Sequence, residues 1–297
     1  MKARIKSKFL TCAAVFISSL CALATAQTLA ASTTQFKLVN GYMIVIPVTV
    51  NGAGPYEFLL DTGTNTTLIS EEFARALRLR PIDRVELVTV AGSRIVPRAK
   101  LESVVISGKT AMNLEALFSD LREARAFKPE IHGVLGMNFL AQFNFMINYR
   151  ERRIEFEDED ELEKSLRGAR LPMERNEGRA LITSAGKERL RLVLDSGTPA
   201  MILFNSAGRA SNLSWEPGDP QWFRLGSDLG GRIAQQKRLR GFIIGGVEFC
   251  DLPVILCDTK DDDAVRAEDG LLPTCFFQQV YFNWRKSFVI LNRSGKR

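Results

Sequence analysis

FLLDTGTNTTLIS, residues 58 to 70, runs three apolar side chains into an aspartate and turns at once through Thr62-Gly63-Thr64. The apolar run predicts a strand, and the glycine and asparagine that follow predict a turn at its end. A carboxylate buried at such a strand end costs free energy unless it is paired or hydrogen-bonded. Asp61 therefore calls for a partner.

The partner lies in a repeat of the chain. LVLDSGTPAMILF, residues 192 to 204, places Asp195 in an equivalent setting 134 residues on. In each half a Gly-containing hairpin turn, Asn51-Gly52 or Ala185-Gly186, begins ten residues before the aspartate. Further along, HGVLGMNFLAQFNFMINYRERRIEF (132–156) is echoed by DGLLPTCFFQQVYFNWRKSFVIL (269–291). Asp61 to Gly133 spans 72 residues and Asp195 to Gly270 spans 75, so two ordered motifs recur at matched separation. One Asp-[Ser/Thr]-Gly turn alone reads as an aspartate capping its own backbone. Two in a common order read as a built pair.

Between the motifs the texture is that of β structure, with short runs such as YMIVIPVTV (42–50) and RLRLVL (189–194) set between Gly, Asn and Pro turns. LVTVAGSRIV (87–96) predicts a hairpin with its tip at Ala91-Gly92-Ser93. Two short helices are expected, one over 70–79 with Ser70 as N-cap and Glu71 and Glu72 in the first turn, the other in MNFLAQF after Gly136. The charged stretch 155–178 reads as a solvated connection, and Asp261-Asp262-Asp263 as an exposed loop without the alternating ligands of a calcium site.

Composition narrows the function classes. The net charge is +6, but Lys2, Arg4, Lys6 and Lys8 precede the apolar stretch 9–24 and the small-x-small triplet Ala24-Thr25-Ala26. That is the layout of a secretory signal peptide over 1–26, too short for a stable membrane span. An uncleaved N-terminal anchor is the alternative. Its removal takes four basic groups away and leaves +2, so no nucleic-acid partner is expected. The expected location is exported, periplasmic or secreted, with no stable membrane insertion after cleavage. Cys250, Cys257 and Cys275 remain, fit no metal pattern, and are expected as buried inert thiols. The single histidine, His132, cannot assemble a zinc cluster, and a Ser-His-Asp or Cys-His nucleophile would have to route through it. No metal and no cofactor are expected.

Two carboxyls held a few ångströms apart cannot both ionise, so one keeps its proton while the other loses it. A water between them would meet a base and an acid together, as hydrolysis of an unactivated amide requires. Gly63 and Gly197 would allow close approach, Thr62 and Ser196 offer hydroxyls that can bond across to the opposite turn, and Thr64 and Thr198 can donate to the outer carboxylate oxygens.

These turns and the apolar-apolar-Gly segments behind them resemble the aspartic proteases of the pepsin and retropepsin type, over about residues 35 to 293. The resemblance implies an all-β fold with a few short helices, built as two pseudo-twofold-related β-barrel lobes in one chain. The lobes would span 27–157 and 178–297, joined by a charged linker at 158–177. It also implies an endopeptidase acting as a monomer on peptide or protein substrates, with Asp61 and Asp195 as the catalytic dyad. Thr62 and Ser196 match the cross-axis hydroxyl positions, Thr64 and Thr198 the bracing positions, and Ala91-Gly92-Ser93 the substrate-covering flap. The chain departs from the pattern in lacking a flap tyrosine, in carrying Pro273 where the first repeat has Gly136, and in leaving only some ten residues between Ala26 and Phe36 for a propeptide. The alternative reading is a peptide-binding or scaffold protein that keeps the cleft without cleaving. A third is pairing of lobes between chains.

Overall fold

The turn residues Asn51 (φ 51°) and Gly52 (φ 75°) fold Met43–Val50 back against Ala53–Leu60. The hairpin buries Phe58 and Leu60 on one face. From there the chain builds a sheet. The computed structural model describes residues 32–90, 92–185, 189–204, 213–225, 232–257 and 267–293. The expected signal segment 1–26, Ala91, Gly186 and Asp261-Asp262-Asp263 lie outside them.

One eight-stranded sheet has the spatial order Lys37–Val39, Met43–Val50, Ala53–Leu60, Gly133–Leu135, Thr67–Ser70, Lys109–Ser119, Ser93–Ile106, Asp83–Val88. A second has the order Glu174–Asn176, Arg179–Thr183, Arg191–Asp195, Gly270–Pro273, Met201–Phe204, Val247–Cys257, Arg232–Ile244, Gln221–Leu225. Strand for strand the two orders are the same, so the sequence repeat is a structural one. The protein is all-β with short helices, in two pseudo-twofold-related halves.

In each sheet the strand that carries the aspartate pairs in parallel with a strand from much later in its half. Phe58↔Gly133 and Leu60↔Leu135 define the first pairing, and Leu192↔Gly270 and Asp195↔Pro273 the second. Gly133 permits this approach: a Cβ there would lie 2.2 Å from the Phe58 ring. The later strands pin the backbone of the turns, and the Asp61 N–H donates to the Leu135 carbonyl at 3.0 Å.

The halves also share a six-stranded antiparallel sheet, in the order Ser32–Gln35, Arg153–Glu157, Asn144–Asn148, Gln279–Asn283, Phe288–Asn292, Ala169–Pro172. Asn144–Asn148 and Gln279–Asn283 meet at its centre, where Phe145 and Phe282 stack with ring centroids 4.6 Å apart. Residues 32–297 cluster as one compact unit. Within 158–177 the structure places a helix at Glu161–Ser165, the strand Ala169–Pro172 of this shared sheet, and Glu174–Asn176, the first strand of the second eight-stranded sheet.

The predicted hairpin forms, with Val88 paired to Ser93 and Thr89 N–H donating to Gly92 O at 2.8 Å. The first helix is shorter than expected, Glu71–Ala76, and its Ser70 cap accepts from Phe73 N–H at 3.0 Å. The second is Met137–Leu140. His132 packs against the rings of Tyr56 and Phe73, with centroids 5.1 and 5.0 Å away. The expectation of three buried thiols is corrected: Cys257 is buried among Leu181, Val193 and Leu271, Cys275 is partly buried, and Cys250, beside the inward-facing Phe249, is exposed. Among the described residues no helix is long and apolar enough to cross a membrane.

Candidate active site

The two aspartate turns meet back to back. Thr62 N–H donates to Ser196 Oγ at 3.0 Å, and Thr62 Oγ1 donates to the Leu194 carbonyl at 2.8 Å. In mirror fashion Ser196 N–H donates to Thr62 Oγ1 at 3.0 Å, and Ser196 Oγ to the Leu60 carbonyl at 2.9 Å. Thr62 and Ser196 are buried, so these four bonds form away from water. Each turn thus fixes the backbone of the other.

Each carboxyl is held twice over. Gly63 N–H donates to Asp61 Oδ1 at 2.8 Å, and Gly197 N–H to Asp195 Oδ1 at 2.6 Å. The same glycines form the platform for the opposite carboxyl. A Cβ on Gly63 would stand 2.4 Å from Asp195 Cγ, and one on Gly197 would stand 2.7 Å from Asp61 Oδ2. Only a residue without a side chain fits at either place.

The two carboxyls are not equivalent. Asp195 is buried and Asp61 partly exposed. Burial raises the Asp61 carboxyl above the usual carboxylate range, against the opposing hydrogen bonds from Gly63 N–H, the Asp195 side chain and the Thr64 backbone. Asp195 is pushed well above that range, first by burial and then by the facing charge of Asp61, with Gly197 N–H opposing. The pair therefore titrates as a unit, and Asp195 is the carboxyl that burial and the facing charge favour more strongly for the proton.

The expected role of the outer threonine hydroxyls is corrected. Thr64 Oγ1 donates to Thr66 O at 3.3 Å and Thr198 Oγ1 to Ala200 O at 3.0 Å, each satisfying a carbonyl of its own loop. It is the Thr64 backbone, not its hydroxyl, that supports Asp61. Gly92 and Ser93 sit at the hairpin tip. The neighbouring Val90 packs against a second-half cluster that includes Leu181, Val193 and Leu271, so the hairpin reaches across to the other half.

Pro273 is accommodated by a paired change. In the first half Gly136 N–H donates to Thr67 Oγ1 at 3.2 Å. In the second half Met201 occupies the place of Thr67, so the missing proline N–H leaves no hydroxyl waiting for it.

Several residues beside the pair escaped the motif search. Tyr149 reaches from the first half and shares a 2.7 Å hydrogen bond with Thr274 Oγ1. Burial, joined by the nearby charges of Asp61 and Asp195, raises its phenol far above the ordinary range. Cys275 lies against the Thr198 carbonyl, and burial raises its thiol to about 11. The charge of Arg179 acts on both aspartates. The strand registers set Tyr149 in the place of Trp284, Cys275 in that of Asn138 and Arg179 in that of Met43. Each is a place where the two halves differ in polarity. Among the described residues no cluster of His, Cys, Asp and Glu could hold a metal ion.

The sequence model of the family described as Aspartyl protease matches residues 46–139, the segment that holds Asp61, the hairpin and Gly133–Gly136. A solved retropepsin-like aspartic protease from Rickettsia conorii matches with 19% identity over 42% of this chain and 87% of its own, at a TM-score of 0.30. Basic 7S globulin from soybean matches with 12% identity over 88% of this chain and 96% of its own, at a TM-score of 0.49. No curated protein matches.

Proposed function

We propose that this protein of aspartic-protease type is an exported endopeptidase that hydrolyses peptide bonds within a single chain, using Asp61 and Asp195 as its acid–base pair. The observation that carries the reading is the interlocked platform: each turn's glycine lies where a Cβ would strike the other turn's carboxyl. That juxtaposition serves neither turn on its own.

In the reaction, Asp61 takes a proton from a water held between the carboxyls as its oxygen attacks the scissile carbonyl carbon. Asp195 gives its proton to the carbonyl oxygen, and a tetrahedral gem-diol results. Asp61 then delivers the proton it took to the amide nitrogen. As the C–N bond breaks, Asp195 recovers a proton from a gem-diol hydroxyl. Charge never accumulates on more than one carboxyl, which suits a buried pair. The substrate is a peptide or protein segment passing under the 83–106 hairpin. The signal-like segment 1–26 supports export.

The test is cleavage of a diverse peptide library from acid to neutral pH. Wild type should cleave in proportion to protein concentration and be blocked by a statine-type transition-state mimic. Asp61→Asn and Asp195→Asn should each remain folded and lose cleavage. Full activity in either single variant would refute the shared mechanism, and rates rising with the square of concentration would point to pairing between chains. Peptide binding without cleavage would favour the scaffold reading.

A further inference from the structure

The second half carries a charge beside the pair that the first half lacks. In the antiparallel pairing of Arg179–Thr183 with Arg191–Asp195, Thr183 faces Arg191 and Leu181 faces Val193. The ladder ends there, and continuing its register by two positions sets Arg179 at the level of Asp195 and on its face of the sheet, in keeping with the charge that Arg179 exerts on both carboxyls. The matching register in the first half sets Ile44 against Leu60, so the equivalent position opposite Asp61 is Met43, a buried apolar residue. Symmetry alone would have left both aspartates with apolar neighbours.

Arg179 is held rather than free. Its guanidinium pairs with Glu268 at 3.2 Å and with Glu177 at 3.5 Å. Glu268 is buried and also accepts from Asn176 Nδ2 at 2.8 Å, on the strand beside Arg179. Glu177 in turn accepts from Asn65 Nδ2 at 3.4 Å, four residues past Asp61, so the clamp spans both halves. The Arg179 side chain is largely buried, so its charge is screened less than a surface arginine's. The other titratable groups facing the pair are Tyr149 and Cys275, whose raised values keep both uncharged at neutral pH. Among the described residues Arg179 is a cation acting on both carboxyls, and Glu268 and Glu177 are its counter-charges.

We infer that Arg179 and Glu268 form a charge regulator of the Asp61–Asp195 pair, setting the pH range over which the pair shares one proton. Arg179 is a positioning residue in this scheme, acting through the carboxyls rather than on substrate. A cation near the pair favours ionisation of both carboxyls, so it moves the monoanionic window toward lower pH. Glu268 offsets part of that cation, so removing its charge moves the window further down. The two changes must act in opposite directions, which a merely structural role would not produce. The inference concerns the active site of the proposed peptidase, and its test does not depend on turnover.

The test is a ¹³C-carboxyl NMR titration of Asp61 and Asp195 in the full chain, with wild type, Arg179→Met, Arg179→Lys and Glu268→Gln. Arg179→Met should raise both apparent midpoints by about 0.5 to 1 pH unit, the size expected of one partly neutralised charge at short range. Arg179→Lys should keep them near wild type, and Glu268→Gln should lower them. Where wild type cleaves peptides, both limbs of the kcat/KM profile should follow the same shifts. Midpoints unmoved in folded Arg179→Met, or Glu268→Gln shifting in the same direction as Arg179→Met, would overturn the inference. If Arg179→Met fails to fold, the direction in Glu268→Gln decides. If no peptide is cleaved, the proposed function fails while the titration still reads the regulator.

Discussion

Replacing Thr62 by Val tests the interlock directly. Valine keeps the shape of threonine but removes Oγ1, which donates to Leu194 O at 2.8 Å and accepts from Ser196 N–H at 3.0 Å. The residue is fully buried, so no water replaces either partner. A net hydrogen bond contributes about 1 kcal/mol, and a buried group left unpaired costs about 1–3 kcal/mol. With one donor and one acceptor stranded, the loss should reach about 2–5 kcal/mol, a large part of a typical stability of about 5–15 kcal/mol. Thr62→Ser keeps the hydroxyl and loses one methyl, so it should cost no more than about 1 kcal/mol. Urea unfolding of wild type and both variants, followed by tryptophan fluorescence and circular dichroism, measures the difference. Ser196→Ala removes the mirror pair of bonds, and in a double-mutant cycle the two changes should couple, since each turn's backbone is held by the other's hydroxyl. A Thr62→Val loss below about 0.5 kcal/mol would refute the reasoning, because an unsatisfied buried pair cannot be that cheap.

Gly63→Ala should lower peptide cleavage by about 100-fold or more with little change in secondary structure, since its Cβ would stand 2.4 Å from Asp195 Cγ and displace the acid; kcat on a defined peptide reads this. Asp195→Asn should stabilise the fold at neutral pH. The folded state of wild type holds the Asp195 proton more tightly than the unfolded state does, so wild-type stability falls as pH rises from the ordinary carboxylate value toward the raised one. The variant lacks that titration, and its Tm advantage should shrink toward acid pH; a constant difference across pH would contradict the burial argument. Thiol labelling at neutral pH should be fast at the exposed Cys250, slow at Cys275 with its thiol raised to about 11, and dependent on unfolding at Cys257. Mass spectrometry of the labelled peptides gives the order.

Much of the site is readable from the chain because its parts are local. Asp-Thr-Gly-Thr after an apolar run is a strand end and turn wherever it occurs, and its recurrence with matched spacing to Gly133 and Gly270 announces a twofold arrangement. The hairpin at 83–106 and the Ser70 cap are likewise settled by near neighbours. The hydroxyls of Thr64 and Thr198 turn away from the carboxylates for a reason of the same kind. Their own loop carbonyls lie closer at hand than the carboxylates, and a short local bond needs no ordering of distant groups.

The sequence by itself determined the pair of aspartates, the glycines that let them meet and the β texture that carries them, since each follows from side-chain type and period. Only the tertiary structure decided that the two carboxyls are unequal, with Asp195 raised further than Asp61. Asp61 and Asp195 sit in nearly the same local sequence, and they differ in burial and in the charges around them, which come from chain positions far away. The same holds for Arg179 and Tyr149, whose meaning depends on strand registers spanning the sheets. Local sequence sets conformation over a few residues, whereas electrostatic free energy depends on distance and dielectric, and both are properties of the folded whole.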